Sequence, residues 1–121
     1  SSLALTEIDL TAIAFETCLK EGETVMTGEE RLKRLIAANV VRLGAQMFAT
    51  FWANRGVLPK RWEEKKNNST TFIFFDGTVL RSPHGSRYAL YLFAHGGAWN
   101  WSYSDLRYSR SAFSPSAVSA I

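Results

Sequence analysis

The sequence predicts an α+β fold in which two N-terminal helices, one of them long, pack on a four-stranded antiparallel sheet meander. Apolar residues in the first half recur every three or four positions, as on one face of a helix. From about residue 69 the chain is rich in β-branched and aromatic residues, in short runs separated by two-residue turn signals. At 121 residues, with 46% hydrophobic and 21% charged side chains, we expect one domain.

The first helix is predicted over residues 7–20. Thr6 is a suitable N-cap, and apolar residues then recur at spacings of four, three and four from Ile8 to Leu19. Cys18 lies within this amphipathic segment, so we expect a small core residue there rather than a nucleophile.

The second helix is predicted over residues 27–54. Thr27 and Glu30 have the spacing of a capping box, and apolar residues recur from there to Phe51, before a stop at Gly56. The helix is long for so small a chain, and its apolar surface is wider than one stripe. It must therefore be covered on more than one side, either by the first helix and the sheet together or by a partner subunit, and we expect a homodimer formed through this helix.

Four strands are predicted in the remainder of the chain, at residues 69–76, 78–82, 87–95 and 98–107. Asp76-Gly77 and Gly96-Gly97 are expected to form tight hairpin turns, with residues 83–86 joining the two hairpins. In the second hairpin one face is expected to point to the core, with the facing pairs Ala94/Trp99, Leu92/Trp101, Leu90/Tyr103 and Tyr88/Asp105. The tail, residues 109–121, is expected to be a docked strand, a docked helix or loosely ordered.

Charge is distributed unevenly along the chain. Residues 1–30 hold seven Asp and Glu and a single Lys, whereas residues 31–121 hold thirteen Lys and Arg and four Asp and Glu. The split indicates either a polyanionic partner for the basic part or packing of the acidic segment against the basic one, within the fold or across a dimer. We favour the second explanation.

Residues that could carry catalysis or bind a metal are sparse. Cys18 is the single cysteine, and the two histidines, His84 and His95, both lie at predicted turns. No His-x-x-His or Cys-x-x-Cys spacing occurs, so neither a metal site nor a cofactor is predicted, and no catalytic residue is assigned. A small hydrolase or isomerase using His95 or Asp105 is the weakest alternative.

The excess of aromatic residues favours a non-enzymatic binding domain. Long helices on an antiparallel sheet often leave an aromatic groove, which would hold a small apolar or aromatic ligand or a protein partner. The residues predicted to line it are Trp52, Tyr88, Trp99, Trp101, Tyr103 and Asp105.

Nucleic-acid binding is the alternative from another class, because aromatic rings on an open sheet face can stack bases while nearby cations contact phosphates. The residues predicted for it are Lys60, Arg61, Lys65, Lys66, Arg81 and Tyr91. It ranks second because the positive charge is concentrated in residues 55–66, apart from the aromatic strands.

A cytoplasmic location is expected. The apolar runs are far shorter than the roughly 18 residues that span a bilayer, so no membrane association is predicted. The first residues show no basic region followed by an apolar stretch, and one lone cysteine favours a reducing compartment.

Overall fold

The computed structural model describes residues 10–65 and 68–120, which form an α+β fold with two helices and two sheets. The helices are α1 (Gly28–Ala37) and α2 (Ala45–Ala53). The strands are β1 (Ile13–Glu16), β2 (Val25–Thr27), β3 (Ile73–Arg81), β4 (Arg87–His95), β5 (Ala98–Asp105), β6 (Ser109–Ser111) and β7 (Ser116–Ser119). Short 3-10 turns occur at Leu10–Ala12, Arg55–Val57 and Lys60–Trp62.

The larger sheet has five strands in the order β1-β7-β3-β4-β5, and β2 pairs with β6 in a second sheet. Strand β7 runs parallel to β3, while the other neighbours are antiparallel. The predicted four-stranded antiparallel meander therefore matches only roughly. The tail supplies β7, a docked strand, and β7 brings β1 to one edge of the sheet.

The hairpin of β4 and β5 agrees with the prediction in turn and register. All four predicted facing pairs occur, from Ala94 opposite Trp99 to Tyr88 opposite Asp105. Gly96 and Gly97 have φ values of 61° and 80°, the left-handed conformation that a two-residue turn requires and that glycine adopts without strain. Strand β5 ends at residue 105, two residues before the predicted end.

The predicted hairpin at Asp76-Gly77 is wrong, because residues 73–81 form one continuous strand with an irregular register in the middle. Gly77 is required there by close packing instead of by a turn. A Cβ atom at this position would lie 2.6 Å from the carbonyl oxygen of Arg42. The glycine thus lets residues 42–44 pass directly against β3.

The start of α1 agrees with the capping signal, since the Thr27 hydroxyl accepts a hydrogen bond from the Glu30 amide at 3.1 Å. The helix ends ten residues later, because Asn39 adopts a left-handed φ of 56° just beyond it. Residues 38–44 then run beside β7, where the backbone of Arg42 pairs with that of Val118 in a single antiparallel β-bridge. One helix over 27–54 does not form, so the proposed dimer through it loses its structural premise.

The predicted helix over residues 7–20 is also wrong over its described part. Residues 7–9 lie outside the described residues, and Leu10–Ala12 forms a 3-10 turn that leads into β1. Strand β1 pairs with the distant β7, from Ile13 opposite Ser119 to Glu16 opposite Ser116. A long-range pairing has therefore overridden the local helical spacing.

The five-stranded sheet is covered on both faces at its centre. On one face, α2 and the segment after it form an apolar core with the sheet residues Ile73, Phe75, Leu92 and Ala117. On the other face, Leu32 of α1 packs with Phe74, Ala89 and Leu106. Strand β3, with Ile73 and Phe75 on one face and Phe74 on the other, is thus covered by one helix on each side.

Neither α1 nor α2, nor any other helix in the described part of the chain, has the length and apolar character needed to cross a membrane.

Candidate functional site

Strand β5 is the outermost strand of the larger sheet and carries three aromatic residues, Trp99, Trp101 and Tyr103, which we call the aromatic edge. Trp101 is 48% exposed and Tyr103 is 57% exposed. Residues 98–105 include no Lys, Arg or Pro. Its one charged residue, Asp105, is buried at the end of the strand, so the strand lacks the exposed charges and prolines with which natural proteins usually protect a sheet edge.

The register determines which backbone groups of β5 face outward. In a hairpin with a two-residue turn, the residues flanking the turn, here His95 and Ala98, exchange hydrogen bonds, and so does every second pair after them. The hydrogen bond from the Leu106 amide to the Arg87 carbonyl, 2.9 Å long, fits this alternation. The amides and carbonyls of the aromatic edge consequently point away from β4, toward the side of the sheet on which no strand of residues 10–65 or 68–120 pairs with β5.

The aromatic edge is exposed because α2 covers the sheet further in. Phe48 of α2 packs edge-on against Phe75 of β3, with ring centroids 5.5 Å apart, and reaches Trp101 at 5.8 Å. Tyr88 and Tyr103 pack edge-on at 5.2 Å. The space predicted to be a groove between helix and sheet is thus occupied by Phe48, and the outer rings form an open surface beside it.

Five of the six residues predicted to line the groove share this face of the hairpin by register, namely Tyr88, Trp99, Trp101, Tyr103 and Asp105. Two of the six predicted residues are engaged by arginines. Trp52 lies on α2 with the guanidinium of Arg55 stacked 4.1 Å from its ring centroid. The Asp105 carboxylate accepts hydrogen bonds from Arg107 at 3.1 and 2.8 Å, which lower its pKa.

The residues predicted for nucleic-acid binding do not form one surface. Tyr91 stacks on Phe74 at 4.8 Å and packs among other rings on the α1 face, so it is not an open platform. Arg61 and Lys65 line a cleft of about 210 Å³ together with Thr71, just before β3, whereas Arg81 is at the far end of that strand. Lys60 is exposed near Glu63, and Lys66 lies outside the described residues.

The two residues named for a hydrolase or isomerase are also far apart in the hairpin, because His95 flanks the turn and Asp105 ends β5. His84 lies in a polar cleft of about 180 Å³ beside Glu29, Arg87, Asp105 and Arg107. Both carboxylates there are paired with an arginine. Within residues 10–65 and 68–120, no three His, Cys, Asp or Glu side chains are grouped to hold a metal ion.

Cys18 lies in the loop after β1, in a left-handed conformation with a φ of 62°, and is half-buried. Burial, and then the nearby Glu16 carboxylate, raise the pKa of its thiol. A raised pKa disfavours the thiolate. The predicted position in the core of a helix is wrong, because β1 replaces that helix and Cys18 lies in the loop that follows it.

A buried arginine cluster, formed by Arg31, Arg110 and Asp76 around Phe74, was not predicted. Arg31 of α1 is 0% exposed and forms an ion pair with Asp76 at 3.2 Å. Both guanidinium groups lie over the Phe74 ring, at 5.3 Å for Arg31 and 4.3 Å for Arg110. Burial, and then the charge of Arg31, lower the pKa of Arg110 to about 10. This cluster joins α1, β3 and β6.

The buried arginines gave no sequence signal, because arginine is usually exposed and neither residue stands in a recognisable motif.

Comparisons with known protein families, with curated proteins and with solved structures find no match for this chain. What the chain does is therefore inferred from its own geometry.

Proposed function

We propose that the chain is a non-enzymatic interaction domain, which binds an extended segment of a protein partner by adding it as a strand beside the aromatic edge. One observation carries the proposal. Strand β5 is an eight-residue edge strand without Lys, Arg or Pro, and two of its large aromatic side chains are about half exposed. An edge of this kind is a template for pairing with another strand.

The opposite edge of the sheet supports the proposal by contrast. Strand β1 has four residues and ends in the exposed Glu16, so it is short and carries a charge. Both properties protect an edge from pairing. The two edges of one sheet thus differ in the way expected if β5 alone is used for recognition.

The exposed rings indicate what kind of partner strand fits. Side chains directly opposite each other on neighbouring strands lie on the same face and contact each other. Trp101 and Tyr103 each present roughly 100 Å² of apolar surface to such a strand. We therefore expect preference for a segment with aromatic or β-branched residues at alternate positions, and little affinity for one with charges there.

A small apolar ligand is a weaker candidate for the same surface. Small-molecule sites are concave and enclose most of the ligand, with polar groups that fix its orientation. Phe48 fills the space under Trp101, and Asp105, the predicted polar contact, is held by Arg107. An open surface with outward backbone groups is better suited to a polypeptide strand.

The test uses a capped, soluble peptide of alternating valine and threonine flanked by lysines, titrated while the backbone amides are followed by NMR. We expect the largest shifts at the aromatic edge. Tyr103→Lys should weaken binding by roughly tenfold or more, as for an interface tyrosine. Tyr108→Lys is the matched control, because Tyr108 is 65% exposed but lies outside β5.

Equal binding by the two lysine variants, or amide shifts confined to other parts of the chain, would show that the aromatic edge is not the recognition surface.

A further inference from the structure

We infer that the strand that pairs with the aromatic edge belongs to a second copy of this chain, related to the first by a twofold axis through Trp101. This inference rests on the proposed strand addition and names its partner. The two β5 strands would run antiparallel, and two five-stranded sheets would join into one of ten strands.

The position of the axis follows from the backbone alternation of β5 together with the spacing of its three aromatic residues. A twofold axis pairs a strand with its own copy in antiparallel orientation, so the residue on the axis faces itself. The outward backbone groups are those of Trp99, Trp101 and Tyr103, and Trp101 is the middle one. With the axis at Trp101, Trp99 faces the partner's Tyr103, and all three pairs can exchange hydrogen bonds. An axis at Asn100 or Ser102 would also pair outward groups, but it would place Tyr103 opposite the partner's Gly97, or Trp99 opposite the partner's Asp105. The axis at Trp101 is the one that places all three aromatic residues opposite aromatic residues.

The side chains fit the same register. Residues directly opposite each other point to one face of the sheet, so the pairing places aromatic rings against aromatic rings on both sides of the axis. No charged residue occurs between positions 98 and 104, so no like charges meet across the axis. Asp105 falls opposite the partner's Gly97, which keeps the two carboxylates apart.

The size of the contact predicts its strength. One strand from each copy buries less surface than the roughly 800 Å² per partner of a standard stable interface. The dimer should therefore be reversible, with a dissociation constant on the order of micromolar. Concentration is thus the variable that reveals it.

Disulfide cross-linking tests the register. In a Cys18→Ser background, Asn100→Cys and Ser102→Cys are prepared separately and then mixed under oxidising conditions. Residues 100 and 102 of opposite copies would form a non-hydrogen-bonded pair with Cα atoms about 4.5 Å apart, within disulfide range. Like residues would be about 8 Å apart, beyond that range. We expect the mixed cross-link to exceed either homodimeric one by roughly tenfold; equal yields of all three would overturn the register.

Sedimentation equilibrium over a range of concentrations tests the dimer itself, with circular dichroism to verify that each variant is folded. Trp101→Lys places two ammonium groups against each other on the axis and should raise the dissociation constant at least ~10-fold. Tyr108→Lys should leave it unchanged. A dimer that is insensitive to Trp101→Lys would show that β5 is not the interface, and the inference would be wrong.

The outcome also separates this inference from the proposed function. A chain that stays monomeric at every concentration but binds the valine and threonine peptide at β5 retains strand addition and loses the second copy as partner. A chain that neither dimerises nor binds the peptide loses both.

Discussion

Strands β3 and β5 lie in one sheet, separated by β4, and both are rich in aromatic residues, yet their rings have opposite environments. Phe74 and Phe75 of β3 are 4% and 1% exposed, whereas Trp101 and Tyr103 of β5 are 48% and 57% exposed. The difference arises because a helix lies on each face at β3, whereas α2 reaches β5 through Phe48, whose ring contacts Trp101 and leaves its outer part exposed. The comparison shows that aromatic content alone does not distinguish a core strand from a recognition strand.

The largest expected difference in the free energy of unfolding is between a variant that loses a buried ring of β3 and one that loses an exposed ring of β5. Phe75→Ala should lower the free energy of unfolding by about 3–5 kcal/mol, because Phe75 packs against both Phe48 and Phe51 and the cavity cannot collapse easily. Trp101→Ala should cost under ~1 kcal/mol in dilute solution, where its ring is half in water. Urea denaturation measures both values, and equal losses would erase the distinction between the strands.

The buried arginine cluster beside β3 should be nearly as sensitive. Arg31→Ala leaves Asp76 buried without its ion-pair partner and removes a cation from the Phe74 ring, at an expected cost of about 3 kcal/mol. Lys60→Ala is the control, because the Lys60 side chain is 94% exposed and 3.9 Å from Glu63. It should change the free energy of unfolding by under ~0.5 kcal/mol.

Gly77→Ala tests the close packing of residues 42–44 against the backbone of β3. The added methyl group would lie within 2.8 Å of three backbone atoms of residues 42–44, so we expect a loss of about 1–3 kcal/mol. Gly56→Ala is the matched control, since its Cβ would meet no described atom within 4 Å. That variant should be neutral or slightly stabilising, as seen by thermal denaturation. Equal effects at the two glycines would refute close packing at Gly77.

The smallest effect concerns an exposed ion pair and its pH dependence. Hydrogen bonds from the Arg34 side chain and the Lys20 amide lower the pKa of Glu23 to about 2, from an ordinary 4.5. A depressed carboxyl pKa stabilises the fold above about pH 4.5, and this stabilisation is lost as the pH falls toward about 2. The difference in melting temperature between the original chain and Arg34→Gln should therefore shrink over that range.

Lys33→Gln, on the exposed side of the same helix, controls for the removal of a positive charge from α1. The difference in melting temperature between Lys33→Gln and the original chain should vary less with pH than the difference for Arg34→Gln. A melting-temperature difference for Arg34→Gln that stays constant down to pH 2 would mean that Arg34 does not lower the pKa of Glu23.

Features specified by local sequence were predicted well. Gly96-Gly97 fixed the turn, and the turn fixed the register of β4 and β5, so the facing pairs could be assigned in advance. The capping signal at Thr27 located the start of α1. The same register argument placed Tyr88, Trp99, Trp101 and Tyr103 on one face. The expectation that this whole face points to the core is wrong at Trp101 and Tyr103, which are exposed.

Features that depend on distant contacts were not predicted. Asp76-Gly77 has the composition of a turn, but its glycine serves the approach of residues 42–44. Ile13–Glu16 follows a helical spacing, but pairs with β7 from the other end of the chain. The exposure of Trp101 could not be deduced either, because it depends on where α2 ends relative to the sheet. In each case, the deciding partner is remote in sequence and leaves no local pattern.

Hydrogen exchange of the β5 amides tests the central claim, strand addition at the aromatic edge, most directly. In dilute solution the amides of Trp101 and Tyr103 should exchange rapidly, while those of Asn100 and Ser102, bonded to β4, exchange slowly. In concentrated solution, or with the peptide bound, Trp101 and Tyr103 should slow by ~10-fold or more as a neighbouring strand accepts their hydrogen bonds. Amides at Trp101 and Tyr103 that remain fast under both conditions would contradict strand addition.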